Sequence, residues 1–277
     1  MKNDFVKIFA AAFVMFVSVI CAGCFQGKSD LTIDDDGKVI LHNELIGVPL
    51  MQEPIEGLKN DMERSQFVKE ITPIARGNMS GYRITMQYET VQQFAAQEIS
   101  LFRNGGGNIQ QHKGWFFDAY NFNFAVDAPE EGEYLDNPFV QSLMPQISFE
   151  LVINLPYAVE QTNAHNISNE GKTLTWNLTS SITSGKNISM QTQFRIWHKD
   201  KIALTIAIII LLLGGAIHFA RKSKQCEAGS FEEAKNTKFM QICAALAAAA
   251  ISATVFILIS PVTFTPADII TPARLNP

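Results

Sequence analysis

Residues 147–155 read ISFELVINL, with an apolar side chain at every second position. A period of two is typical of a β-strand that buries one face and exposes the other. The same pattern recurs in three further segments, 81–89, 174–178 and 188–196. Earlier in the chain, Asp36-Gly37 is predicted to form a two-residue hairpin turn, because both residue types tolerate a positive φ. These segments predict a sheet whose strands arrive mostly as antiparallel hairpins.

Two amphipathic helices are predicted in the same block. The first has apolar residues at helical spacing, namely Met51, Ile55, Leu58 and Met62. The second begins with a capping box formed by Thr90 and Gln93. Its apolar face is predicted to consist of Val91, Phe94, Ala95 and Leu101. The glycines at 105–107 are predicted to end it. Strands and helices together predict an α+β fold, an antiparallel sheet backed by two amphipathic helices.

The most aromatic segment, 115–126, changes phase once. Its apolar residues alternate as Trp115, Phe117 and Ala119, and then as Tyr120, Phe122, Phe124 and Val126. In a regular strand this one-residue shift would turn the second set of apolar side chains to the solvent. The shift therefore indicates a β-bulge in one long strand. Farther on, Asn137-Pro138 is predicted to start a short helix containing Phe139 and Leu143, which is either a connector or a lid.

Two apolar segments near the C-terminus are predicted to span a membrane. The first, 202–220, has no charged residue over 19 positions, and the second, 239–264, is rich in alanine. At 1.5 Å per residue each is long enough to cross a hydrocarbon core of about 30 Å. The loop between them, 221–238, is basic, which predicts that it is cytoplasmic. Residues 24–200 and the tail, 265–277, are then extracytoplasmic.

The N-terminus is predicted to be an export signal. Residues 1–23 contain two lysines followed by an uncharged apolar run. The run is followed by the sequence Cys21-Ala22-Gly23-Cys24, so the predicted signal ends just before Cys24. This ending resembles the lipobox of bacterial lipoproteins, which implies that Cys24 is acylated and becomes the first residue of the mature chain; the alternative is an uncleaved signal anchor. Residues 25–30, if extended, would reach about 20 Å from that lipid. Both ends of the domain would therefore be held near the membrane.

Charge narrows the possible functions. Residues 25–200 contain 13 basic and 22 acidic residues, a net charge of −9. Such an acidic block argues against a nucleic-acid partner, because phosphates need a basic surface. The apolar segments exclude a plain cytosolic protein, and the long polar block excludes a polytopic transporter. The same block contains no cysteine, so the domain is predicted to fold on its hydrophobic core alone.

The order of these features resembles the LppM-type family of bacterial lipoproteins. The similarity rests on the lipobox, on the first hairpin, and on the stretch from Leu155-Pro156 through Asn163 and Asn166 to Trp176. It covers residues 24–200. The resemblance implies a domain related to lipid-binding modules, with a role in binding membrane glycolipids, and it implies no catalytic residues. The second apolar segment departs from the single helix that the family implies.

No catalytic or metal-binding motif is present in the sequence. The five histidines are scattered without the spacing of metal ligands, and no nucleophile motif occurs. We therefore expect a non-enzymatic surface lipoprotein without metal or cofactor, which binds lipid or glycolipid in an apolar groove. The residues expected to line the groove are Trp115, Phe117, Phe122, Phe124, Phe139 and Leu143, for which the alternative is ordinary core packing. A second hypothesis is a structural or interaction subunit of a cell-envelope complex, with the paired helices as its partner surface.

Overall fold

The structure, a computed structural model, describes residues 25–96, 108–126, 147–179 and 188–268. Several predictions concern residues that lie outside these ranges. These residues are the signal at 1–23, Cys24, Leu101, the glycines at 105–107, Phe139, Leu143 and most of the tail. The chain divides into two compact units. The sandwich unit contains the described residues up to Gln111 and from Tyr120 to Ile196, and the helical unit contains 112–119 and 197–265.

The sandwich unit is built on two β-sheets. In chain order its strands, two of which end in the helical unit, are β1 (Phe25–Ile33), β2 (Val39–Gly47), β3 (Val68–Arg76), β4 (Met79–Tyr88), β5 (Asn108–Lys113), β6 (Phe117–Val126), β7 (Ile147–Asn154), β8 (Gln161–Thr162), β9 (Asn166–Ser168), β10 (Thr173–Asn177) and β11 (Ile188–Trp197). Within the described residues, one sheet has the order β3-β4-β2-β1-β7-β10-β9 and the other has the order β5-β6-β11-β8.

The α+β fold class is confirmed, with one strand pair that the sequence did not predict. β1 pairs with β2 in antiparallel fashion but with β7 in parallel, Phe25 lying beside Ile147 and Leu31 beside Ile153. A parallel neighbour requires a long crossover, and residues 34–146, which join β1 to β7, supply one. The larger sheet is therefore mixed rather than purely antiparallel.

The first hairpin turn is longer than predicted. β1 ends at Ile33 and β2 starts at Val39, so the connection is five residues and not two. Asp34 organises it, because its Oδ1 accepts hydrogen bonds from the backbone amides of Asp36 at 3.0 Å and Lys38 at 2.8 Å. In this turn only Gly37 has a positive φ, +81°. Glycine adopts that conformation without steric cost.

β1 also starts earlier than predicted. The sequence placed a free tether over 25–30, but Phe25 is already paired on both sides and is buried. Its ring packs 5.4 Å from that of Phe149, in a small cluster that also contains Leu45 and Ile55. Burying this aromatic side chain favours sheet over an extended linker. Cys24 therefore directly precedes the sheet.

Four strands, β3, β5, β8 and β9, have no counterpart in the predictions. β3 is an edge strand that contains Pro73, and exposed positions occur along it without a period of two. Proline is tolerated there because an edge strand has amides that need no ladder partner. β5 is short and polar, so its sequence carries little hydrophobic pattern.

The helices of the sandwich unit are α1 (Gln52–Glu63) and α2 (Val91–Ala96). α1 buries one residue fully, Ile55, while Leu58 remains 43% exposed. The cap of α2 is confirmed: Thr90 Oγ1 accepts from the Gln93 amide at 3.1 Å. Gln93 Oε1 accepts in turn from the amide of Glu89, one residue earlier than in an ideal capping box.

The main hydrophobic core lies between the two sheets. It combines Leu31, Ile153 and Trp176 of the larger sheet with Phe122 and Phe194 of the smaller one. The predicted change of phase in β6 is confirmed, because Phe117 and Ala119 are buried and so are Tyr120, Phe122 and Phe124. The predicted alternation fails at Trp115, which precedes the strand and is 56% exposed, whereas Phe116 is buried.

The helical unit contains two long helices, α3 (Lys199–Gln225) and α4 (Phe231–Ile259). Both are long and apolar enough to cross a membrane, and 0% and 6% of their most apolar windows are buried. They pack on each other through Phe219 and Phe239, whose rings are 5.3 Å apart, and through the hydroxyls of Ser223 and Thr237 at 2.9 Å.

The two helices do not end where the predicted spans end. Most of the predicted loop 221–238 is helical, and the connection is only 226–230. α4 starts with a cap that was not predicted: Ser230 Oγ accepts from the Glu233 amide at 3.2 Å. α4 ends at Ile259 rather than Phe264, because Pro261 cannot continue a helix. A short 3-10 turn follows at Pro266–Asp268.

Candidate functional site

A cluster at one end of α3 and α4 is the best candidate for a functional site. We call it the collar; it consists of Trp115, Phe116, Phe117, Asp118, Ala119, Trp197, His198, Lys201, Ile202, Val262 and Phe264. The residues come from the turn between β5 and β6 with the start of β6, from the end of β11 with the start of α3, and from the segment after α4. All of them belong to the helical unit.

The turn between β5 and β6 is tight because of one glycine. A side-chain carbon at Gly114 would lie 2.5 Å from the carbonyl oxygen of Phe117, closer than a real Cβ atom comes to backbone. Glycine therefore lets the chain reverse within three residues, from Gly114 to Phe116. The reversal presents Trp115 outward, while the next two side chains are buried.

Apolar packing holds the interior of the collar together. Phe116, Phe117 and Ala119 are buried, and the partly buried side chains around them are Trp197, Ile202, Val262 and Phe264. The rings of Phe117 and Trp197 meet edge to face, with centroids 5.1 Å apart. Such aromatic pairs add about 0.5–1.5 kcal/mol to the effect of burial. The turn is thus packed against residues from both helix ends.

Polar contacts join the same turn to the first turn of α3. The amide of His198 donates to the carbonyl of Phe116 at 2.8 Å, and His198 Nδ1 lies 3.1 Å from the carbonyl oxygen of Trp115. His198 Nε2 is 3.5 Å from a carboxylate oxygen of Asp118. Lys201 Nζ lies 5.5 Å from the centre of the Trp115 ring, within the range of a cation–π contact.

Trp115 has the surroundings of a membrane-interface residue. Its ring is exposed and lies beside Lys201, immediately before the apolar run that begins at Ile202. Tryptophan and basic residues are enriched at this level of membrane helices, because their polar atoms stay in the headgroup region while their apolar parts reach the acyl chains. Trp115 and Lys201 match this pattern in residue type and position.

The predicted groove residues fall into two separate clusters. Trp115 and Phe117 are in the collar, whereas Phe122 and Phe124 are in the main core of the sandwich. Phe122 is fully buried, and its ring lies 5.1 Å from that of Phe194. These are the surroundings of core side chains. The groove stays a prediction, with Phe139, Leu143 and the lipidation of Cys24 outside the described residues.

Sequence reasoning missed most of the collar. Among the missed residues, a local signal existed for Trp197, His198 and Lys201, since an aromatic and a basic residue next to an apolar span are typical of an interface anchor. Phe116 and Phe264 carry no such signal. Their roles depend on contacts between segments that are far apart in the chain.

The residues that carried the family resemblance have a structural role. Asn163 Oδ1 accepts from the Trp176 indole at 3.1 Å and from the Gln191 amide at 2.8 Å, and its Nδ2 donates to the carbonyl of Ser189 at 2.6 Å. Because Trp176 is in one sheet and the other two residues are in β11, this amide joins the two sheets. A buried indole N–H needs such a partner.

The outer face of the larger sheet is charged and internally paired. A depression of about 240 Å³ is lined there by Lys28, Asp30, His42, Glu44 and Arg83. Glu44 accepts hydrogen bonds from Arg76 at 2.7 Å and from Arg83 Nε at 2.8 Å. Burial alone would raise the pKa of Glu44, but the hydrogen bond from Arg83 and the charge of Arg76 lower it below its ordinary value.

Comparison with known proteins adds little to this geometry. No family model matches the chain, and no curated protein matches it. The folded domain of LppM from Mycobacterium tuberculosis, solved by NMR, is similar over 65% of this chain and 94% of that domain, with 15% identity and a TM-score of 0.40. This similarity to the LppM-type domain is distant, and it carries no argument about a ligand or a partner.

Proposed function

We propose that this protein is a non-enzymatic surface lipoprotein, anchored in a cell membrane by α3 and α4, with the sandwich unit on the extracytoplasmic side. We further propose that it contacts lipid, including glycolipid, through the collar. The observation that carries the proposal is the exposed Trp115, which lies against Lys201 where the apolar part of α3 begins.

Charge supports the proposed orientation. The basic residues nearest the other ends of the two helices are Arg221, Lys222, Lys224, Lys235 and Lys238. An excess of basic residues marks the cytoplasmic side of a membrane helix. The collar, at the opposite helix ends, would then lie at the outer leaflet.

Cysteine labelling in intact cells tests the orientation. Cys226 lies in the connection between the helices and is partly exposed. A membrane-impermeant maleimide should label it only after permeabilisation. The matched reporter is Gln161→Cys in a Cys226→Ser background, because Gln161 is exposed on the sandwich unit. It should be labelled in intact cells, and the reverse pattern would invert the proposal.

Quenching of tryptophan fluorescence tests the contact with lipid. The full chain is reconstituted in phosphatidylcholine vesicles that carry a brominated acyl chain near the headgroup. Trp176 is buried in the sandwich core and should not respond. Trp115→Phe should remove much of the quenching seen in the unmodified protein. Unchanged quenching in this variant would contradict lipid contact at Trp115, and a stable protein crosslinked to the helices independently of lipid would favour the envelope-subunit hypothesis instead.

A further inference from the structure

The outer face of the smaller sheet has a stretch of uncharged polar side chains, which ends at Arg195, whose guanidinium pairs with the carboxylate of Glu160 at 2.5 Å. On β11, Met190, Thr192 and Phe194 point into the core, and the residues between them point outward. We call one part of this surface the amide face. It consists of outward side chains from β5, β6, β8 and β11, namely Gln110, Asn121, Asn123, Gln161, Ser189, Gln191 and Gln193. No member carries a carboxylate, an ammonium or a guanidinium group.

This face contains a shallow depression of about 170 Å³. Every residue that lines it is an amide or an alcohol, namely Asn121, Gln161, Thr162, Asn163, Gln191, Thr192 and Gln193. The depression on the larger sheet, by contrast, is lined by four charged residues and a histidine. The two outer faces of the sandwich therefore suit ligands of different chemistry.

The amide face keeps unused hydrogen-bonding capacity. Asn121 Nδ2 donates to Gln110 Oε1 at 2.8 Å, and Gln191 Nε2 donates to Ser189 Oγ at 3.3 Å. Each amide group has two donor hydrogens and an acceptor oxygen, so these contacts use only part of what is available. Within the described ranges, the side-chain amides of Gln161 and Gln193 form no hydrogen bond at all.

We propose that the amide face binds a neutral carbohydrate. Sugar hydroxyls both donate and accept, and amide groups match them with both functions on one planar group. The charged groups beside this face, Arg195 and Glu160, are already paired with each other, so a charged ligand would have to compete for them, whereas a neutral ligand would not. An open depression of this size fits the edge of a sugar ring and not a buried acyl chain. The orientation proposed above decides only whether the amide face can reach extracellular glycan in the cell. Binding of a sugar to the purified protein does not depend on it.

Saturation-transfer NMR on the full chain in phosphatidylcholine nanodiscs tests this proposal without any sugar-based detergent. The probes are the neutral tetrasaccharides of mannose, of α-linked glucose and of β-linked glucose, with a sulfated heparin tetrasaccharide as the charged comparison. We expect at least one neutral probe to bind, with an affinity that changes less than twofold between 50 and 300 mM salt, because no charge is involved.

Two pairs of variants locate the site. Gln191→Ala with Gln193→Ala should weaken binding at least tenfold. Gln26→Ala with Gln87→Ala removes two amides from the outer face of the larger sheet and should leave binding unchanged. Gln161→Glu, at an exposed position, keeps a side chain of the same size and should also weaken binding.

The results separate this proposal from the orientation. Absence of binding by all neutral probes, equal losses in both pairs of variants, or binding of the sulfated probe alone would overturn the amide-face site. None of these results bears on cysteine labelling, which can fail or succeed independently.

Discussion

The two units place the same kinds of side chain in opposite surroundings. In the sandwich unit Leu174 and Phe122 are fully buried, whereas in α3 Leu211 is 73% and Ile210 is 62% exposed. The sandwich removes apolar surface from water as it folds. The helices bury little in each other, so their stability depends on a surrounding phase that is itself apolar. The comparison shows that the apolar character of a side chain does not by itself tell whether it lies in a core or on an exposed helix surface.

The division between the units runs through single strands. In β6 the side chains up to Ala119 pack in the collar, and those from Tyr120 pack in the main core. The one-residue slip in the apolar pattern coincides with this change of cluster. A strand that serves two clusters must change the face it presents, because alternate side chains point to opposite sides.

The largest difference between the units should appear when a large side chain is truncated. Phe122→Ala leaves a cavity in the main core and should lower the free energy of unfolding by about 3–5 kcal/mol. Leu211→Ala removes a side chain that packs on no core and should leave that free energy nearly unchanged. Urea denaturation of the sandwich in lipid nanodiscs, followed by near-UV circular dichroism, measures both. Equal losses would remove the distinction drawn here.

A charged substitution separates lipid from water at matched exposure. Ile208 in α3 is 46% exposed and Ile167 in β9 is 50% exposed. Arginine at the centre of a membrane helix costs about 2.5–3.5 kcal/mol, whereas an exposed surface change costs within about 0.5 kcal/mol. Ile208→Arg should therefore lower the membrane-inserted fraction, and Ile167→Arg should not. Alkaline extraction of membranes measures that fraction, and insensitivity of both variants would show that α3 does not face lipid.

The bond between the two sheets gives a smaller and more local effect. Asn163→Ala leaves the indole N–H of Trp176 and the amide of Gln191 without their acceptor; the Trp176 side chain is buried, and a buried orphan donor costs about 1–3 kcal/mol. The fluorescence-detected melting temperature of the sandwich should fall. Asn166→Ala, on the exposed strand β9, is the matched control and should melt like the unmodified protein. A melting temperature unaffected by Asn163→Ala would deny Asn163 this role.

The smallest predicted effect depends on pH and concerns how α1 is attached. Hydrogen bonds from Tyr82, and then from Lys59, lower the pKa of Glu56 below its ordinary value of 4.5. A carboxyl with a depressed pKa stabilises the fold fully above its ordinary pKa, and that stabilisation is lost as the pH falls through the lowered value. The protection of the α1 amides from exchange, measured against the intrinsic exchange rate at each pH, should therefore fall below about pH 4.5.

The control for this prediction is a substitution in the same helix. Glu56→Gln should make exchange in α1 faster at neutral pH and remove most of its acid dependence. Glu53→Gln, one turn earlier, should retain that dependence. If both variants respond to acid like the unmodified protein, Glu56 does not attach the helix.

Strands and helices with a strong local pattern could be predicted from the residues alone. Apolar residues alternate with a period of two in β4, β7, β10 and β11, and Thr90 and Gln93 predict the cap of α2. β3 could not be predicted, since its edge position frees it from alternating burial. Of the candidate site, Trp115 and Phe117 were found, whereas Phe116 and Phe264 lacked a local signal.

Periodicity and span length are properties of neighbouring residues, so the polar strand-rich block and the two apolar helices can be recognised from the amino acids in order. The parallel pairing of β1 with β7, the bridge from Asn163 to Trp176 and the packing of the collar join segments far apart in the chain. Those pairings follow from which surfaces fit and exclude water together once the chain has folded, and no local pattern contains that information.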